Sequence, residues 1–255
     1  MELAQKYEIG AVKDFITEHI TSEWPATLSE WRCQQAEIAR LEEILCSSCN
    51  AARGTDGPYL ADLFPEPASV IRLCVKYNIP GPLAAAFYQL SKIRFEDDYE
   101  RWKKDKAGRK WRYCEFSNAA DFADHSPLLN WRRTARWSSL DSDIFMRLLV
   151  GRKRLDEYKE GLVQLKPVEG CEAGPTFGRS CCESELLKLS ARKWDAKHGE
   201  PMGPLEEVAA LLAALQQQTL YPLICKHCRA GNRKKLEDVM TQLWAHLSMF
   251  FGVRE

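Results

Sequence analysis

The stretch Phe64–Ile93, FPEPASVIRLCVKYNIPGPLAAAFYQLSKI, holds two short helices and the corner between them. Val70, Ile71, Leu73 and Cys74 recur at helical spacing, which predicts a helix over Ala68–Tyr77 with these residues inward. Pro80-Gly81-Pro82 makes the corner, because the fixed φ of Pro82 suits the first helical position. Leu83–Ile93 then reads as a buried helix whose small alanines let a neighbouring helix approach closely. Such helix pairs recur loosely along the chain without a fixed period. An all-α fold is expected, as an irregular array of helix pairs.

Working outward to the N-terminus, Leu3 and Tyr7, then Val12, Phe15, Ile16 and Ile20, form one apolar helical face, interrupted near Ile9-Gly10. Trp24-Pro25 ends it, since the residue before proline avoids the α region. Thr27 and Glu30 match a capping box and predict a helix from Leu28 to about Leu45. Residues 47–67, rich in Ser, Asn, Gly, Asp and Pro, read as a loop.

Toward the C-terminus, Phe95–Lys106 reads as a charged helix and Trp111–Phe116 as a short strand in an irregular stretch. Ser138 and Asp141 match a second capping box, opening a helix from Leu140 to about Tyr158. After a loop over Gly161–Arg179 come helices at Cys182–Lys197, Pro204–Gln218 and about Gly231–Phe250. The last carries Leu236, Val239, Met240, Leu243, Trp244 and Leu247 on one face. A division follows into a helical domain over 1–160 and a cysteine-bearing helical subdomain over 161–255.

The chain has 255 residues, 45% hydrophobic and 28% charged, enough apolar surface for a real core. Its 36 basic and 36 acidic residues cancel, but unevenly. Residues 1–43 carry nine acids against four bases, residues 131–154 seven bases against two acids, and residues 225–235 five bases and no acid. The longest clean apolar run, Val208–Leu215, is far short of the ~20 residues a membrane span needs. No apolar signal core follows the N-terminus. An intracellular protein is expected, cytoplasmic or nuclear, with its ten cysteines as thiols or metal ligands.

Cys225-Lys226-His227-Cys228 is the sharpest chemical feature. Two thiolates at this spacing can face one metal from a tight turn, and zinc takes four such ligands in a tetrahedron. Cys171 and the doubled Cys181-Cys182, before another helix, bring the thiols to enough for a site of four. Two other readings stand beside this one. The cysteines can be small buried apolar residues. Or Cys225 and Cys228, at a helix start, can form a redox pair, although such motifs normally follow a strand in a βαβ unit. Cys46 and Cys49 share the spacing but have no second pair nearby. Cys33, Cys74 and Cys114 are isolated, and core packing accounts for the first two.

No phosphate-binding glycine loop, nucleophile elbow or HExxH pair is present. His19 and His246 lie on amphipathic helices, and His125 sits near Asp121 and Asp124 in a loop. Asp97-Asp98 and Glu42-Glu43 read as helix surface. Nothing assembles into a nucleophile, base and orienter, so no enzymatic role is expected. Trp131-Arg132-Arg133 and Arg136-Trp137 interleave aromatic and basic groups, which can stack on nucleic-acid bases or, more commonly, on each other within a protein.

Taken in order, several segments resemble the helical region that follows the BTB fold in the large mushroom-type set of fungal BTB/POZ-domain proteins. They are LAQKY at 3–7 with Val12 and His19, WPATL at 24–28 with Trp31, and the Phe64–Ile93 stretch. ARWSSL at 135–140 with Gly151-Arg152, the Cys171/Cys181 pair and Cys225–Cys228 continue the series, with Leu243-Trp244 and Phe250-Phe251-Gly252 behind them. The resemblance spans nearly the whole chain and implies a BACK-like array of helix pairs with a non-catalytic adaptor role. In that family a BTB fold precedes the Lys-Tyr helix, at which this chain begins, so BTB dimerisation and cullin-ligase recruitment do not carry over.

The expected function is thus a protein–protein interaction module whose C-terminal third is pinned by one structural zinc. The expected ligands are Cys171, Cys181 (or Cys182 in its place), Cys225 and Cys228. The partner would be another protein, with self-association through Leu3 and Tyr7 of the N-terminal helix as one form, and not a membrane. The alternative is a nucleic-acid-binding regulator using the basic segments 131–154 and 225–235. A thiol redox enzyme is a third.

Overall fold

A computed structural model of the chain describes residues 10–51, 66–100, 134–162, 165–169, 171, 178–191, 203–217, 219 and 221–253. Among these residues the fold is all-α, as expected. The exceptions are turns, a 3-10 turn at Trp137–Ser139, and a single parallel bridge between Asp98 and Ala135. The chain divides into two compact units. One is Met1–Gly151 with Phe251–Glu255, and the other is Arg152–Phe250. This division falls inside a helix, Ser142–Leu162. No described helix is long and apolar enough to cross a membrane.

In the first unit, α1 (Gly10–Ser22) is followed by a turn at Trp24-Pro25 and then α2 (Leu28–Ala51). The capping box forms: the Glu30 N–H donates to Thr27 Oγ1 at 3.2 Å, and the Thr27 N–H donates back to Glu30 Oε2 at 3.2 Å. α2 runs to Ala51, beyond the expected end at Leu45. Ser47, Ser48 and Asn50 are only modest helix formers, and no Gly or Pro stops the helix before Gly54. The Cys46–Cys49 pair thereby falls within the helix.

α3 (Pro67–Tyr77) and α4 (Leu83–Lys92) pack on each other as the opening stretch implies. Pro67 opens α3, and the Glu66 carboxylate caps it by accepting the N–H groups of Ala68 (2.9 Å) and Ser69 (2.8 Å). Asn78 closes it in the left-handed conformation, φ 54°. Val70, Ile71 and Cys74 are buried as expected, and Leu73 is half-buried. Burial pushes the Cys74 thiol up to about 11. Tyr88, Phe87, Leu90, Ile144 and Leu148 complete this core with Phe251, whose ring stacks on Phe87 at 5.3 Å.

Three expectations in this unit are corrected. Residues 95–98 are a turn and the bridge, and only Tyr99 and Glu100, where the described stretch stops, are helical. Asp97 is buried, not helix surface, because its backbone pairs with Ala135 and its carboxylate with Arg94 at 3.3 Å. Burial raises its pKa against the Arg94 charge. Cys33 is exposed, so core packing does not explain it. The strand at Trp111–Phe116, His125, Cys114, Leu3 and Tyr7 lie outside the described residues.

α5 (Ser142–Leu162) opens differently from the expected box. Asp141 itself caps it, accepting the Ile144 N–H at 2.9 Å, while Ser138 lies in the 3-10 turn. The second unit holds the end of α5 with α6 (Gly178–Ala191), α7 (Pro204–Gln216) and α8 (Lys226–Phe250). α7 lies along α8, burying Leu205, Val208, Leu211 and Leu215 with Leu236, Met240, Leu243 and Leu247. The residues of each set recur at three- and four-residue steps, so each helix presents one apolar stripe.

Candidate metal centre

α8 begins at Lys226, five positions before the expected start at Gly231. The cause is Cys225. Its sulfur accepts the Cys228 N–H at 3.4 Å, as a cap side chain does for the third helical residue. Gly231 therefore sits inside the helix, where it leaves room for Val168; an added Cβ would lie 2.6 Å from Val168 Cγ1. The basic CKHC segment is thus the first turn of a helix, and its positive end faces the sulfurs.

Four thiols converge there. The Sγ atoms of Cys171, Cys182, Cys225 and Cys228 all lie within 4.8 Å of one another, Cys182 and Cys228 buried and the other two half-buried. Cys171 and Cys225 are 3.8 Å apart, too far for a disulfide, whose sulfurs sit at about 2.05 Å. A tetrahedral ion with metal–sulfur bonds of about 2.3 Å separates its ligands by about 3.8 Å. The Cys171–Cys225 pair already stands at that separation, and no two of the four sulfurs are more than 4.8 Å apart.

Of the doubled cysteine, Cys182 is in the cluster. Successive helical residues point about 100° apart, so α6 can offer one of the pair to a single point. Cys182 accepts the Cys225 N–H at 3.4 Å and, as a thiol, donates to the Leu223 carbonyl at 3.4 Å. The Cys181 side chain lies outside the described residues.

The thiols are electrostatically unequal. Burial pushes Cys182 and Cys228 up, and hydrogen bonding to Cys228 followed by burial raises Cys171. Burial also opposes ionisation of Cys225. The Cys228 N–H and the sulfurs of Cys228, Cys171 and Cys182 outweigh it and lower Cys225 to about 7. One thiolate is thus favoured in the bare cluster; the other three need a cation to ionise at neutral pH. The backbone N–H donors to Cys182 and Cys225 are the kind of support that orients metal-bound thiolates.

Two residues hold the frame, and sequence patterning did not single them out. Asn232 is buried one turn after Cys228. Its amide binds both backbone groups of Lys166, donating to the carbonyl at 2.9 Å and accepting the N–H at 3.3 Å, and also donates to the Cys228 carbonyl at 2.8 Å. Arg229 donates to the carbonyls of Ile224 (3.0 Å), Leu215 (2.6 Å) and Tyr221. A helical Asn and one of five bases carry no local mark of these roles. His227 points to the Glu169 carbonyl at 2.9 Å and is not among the converging groups. The basic residue Arg136 stacks on Tyr99 at 4.4 Å, an internal aromatic partner.

No family model, curated protein or solved structure matches this chain.

Proposed function

We propose that this chain is a non-catalytic protein–protein interaction module whose C-terminal helices are closed by one structural zinc ion on Cys171, Cys182, Cys225 and Cys228. The observation that carries this is the convergence of four thiols within 4.8 Å of one another, close enough to share one ion. Four protein sulfurs complete the coordination of zinc, so no position remains for water or substrate. The ion would tie together the 165–171 segment, the start of α6 and the start of α8. Its binding energy is then folding energy. The resemblance to the helical region of fungal BTB/POZ proteins supports the adaptor role.

The nucleic-acid alternative has Lys226, Arg233 and Lys234 beside a cleft of about 540 Å3 at the start of α8. Much of that charge is already engaged: Arg229 is bound to three carbonyls, and Arg233 pairs with Glu237 at 3.0 Å. A thiol redox enzyme would need an accessible pair, whereas Cys228 is buried.

Elemental analysis of protein purified without added zinc tests the proposal. About one zinc per chain, lost in Cys225→Ser, is expected from the four-sulfur site. Metal-free protein with unaltered thermal stability in Cys225→Ser would overturn it.

A further inference from the structure

α1 is a helix without a core. None of its thirteen residues is buried. Val12, Phe15, Ile16 and Ile20 nonetheless share one face, and Phe15 is 70% exposed. The Phe15 ring stacks on His19 at 6.4 Å and otherwise stays open beside Val12, and it is a contiguous exposed apolar face, not a lone apolar residue, that marks an interaction site. One and two turns on from Phe15 stand Glu18 and Ser22, which border a cleft of about 650 Å3. Trp24 and Pro25, both buried, lie along that cleft, and Glu23 stands at its edge.

The charge around this face is mainly acidic. Asp14, Glu18 and Glu23 are exposed, and Lys13 is the one Lys or Arg on α1. Within the described residues no ion pair engages those three carboxylates. Glu30, also on the cleft, is different: its carboxylate is occupied by the N–H groups of Ala26 and Thr27.

From the apolar face and its acidic border we infer that α1 and the adjoining cleft are a docking surface for a basic amphipathic segment of a partner protein. Its apolar residues would cover Val12 and Phe15, and its Lys or Arg residues would meet Asp14, Glu18 and Glu23. Apolar burial supplies affinity, and the carboxylates set the sign of the partner and speed its approach. This inference rests on the interaction-module proposal and names the chemistry of its partner.

The test uses the full chain and a synthetic amphipathic helical peptide of leucine and lysine, with a leucine–glutamate peptide as the opposite charge. Binding is read by fluorescence anisotropy at low and moderate salt. Saturable binding of the lysine peptide alone is expected, weakening as salt rises. The decisive variant is Phe15→Asp. It makes the face more acidic, so charge attraction alone would tighten binding. Docking through Phe15 instead predicts a loss of at least about tenfold. Glu18→Lys, also exposed, should weaken binding too, and far-UV circular dichroism checks that both variants stay folded.

Equal binding of both peptides, or binding undiminished in Phe15→Asp, would overturn the inference. So would self-association of the free chain abolished by Phe15→Asp, because the occupant would then be a second copy. Zinc content measured on the same samples separates this failure from that of the metal centre: a zinc-loaded chain that binds no peptide leaves the centre standing.

Discussion

At the residue scale, Gly151 shows how close packing settles one position. A Cβ there would lie 2.0 Å from Cδ1 of Phe251. That ring is 1% exposed, stacked on Phe87, and its backbone carbonyl accepts Arg147 Nε at 3.2 Å. Alanine within a helix normally gains about 1 kcal/mol over glycine. Forcing a methyl into a closed core costs about 1–3 kcal/mol, so Gly151→Ala should be net destabilising in urea unfolding. The doubled cysteine gives a second prediction at this scale. Cys182→Ser should lose bound metal and Cys181→Ser should keep it, as read by elemental analysis, because Cys182 fills the fourth corner of the cluster. Loss of metal in both variants, or in neither, would contradict the assignment.

At the element scale, helix ends carry disproportionate weight. Glu66 caps α3 through two N–H groups and also accepts the N–H of Arg136 at 2.9 Å, binding the chain before the 3-10 turn to the start of α3. Glu66→Ala should lower stability by about 2 kcal/mol, since three donors lose a charged acceptor. Glu66→Gln, which keeps one acceptor oxygen, should lose less, and paired denaturant titrations would separate the two. Cys225 plays the corresponding part for α8, with sulfur in place of oxygen. Its cap and its place in the cluster are one arrangement, which is why the helix begins at the metal centre.

At the scale of the whole molecule, the candidate centre joins segments far apart in sequence: Cys171, Cys182 and the Cys225–Cys228 turn. Chelation should therefore act across the second unit. Hydrogen exchange is expected to accelerate in residues 165–171 and in the first turns of α6 and α8, with the thermal midpoint falling. Acid should do the same, because protons compete with metal for thiolates; metal affinity falls as pH is lowered. Unchanged exchange on chelation would mean that Asn232 and the apolar seam of α7 with α8 hold these segments without an ion.

What the sequence determined by itself was local. The helices at 67–77 and 83–92, the break at Trp24-Pro25 and the Thr27–Glu30 box are written in neighbours a few residues apart, and spacing reads them directly. Three of the four clustered cysteines, and the fourth as one of two choices, were legible because the residue type itself is rare and chemically marked. The tertiary structure decided what depends on distant partners. It brought Cys182 to the cluster, buried Asp97 against Ala135, and gave Asn232 and Arg229 their framing roles. Those outcomes turn on atoms distant in the chain or on which face of a helix is covered, and neither is encoded in local spacing.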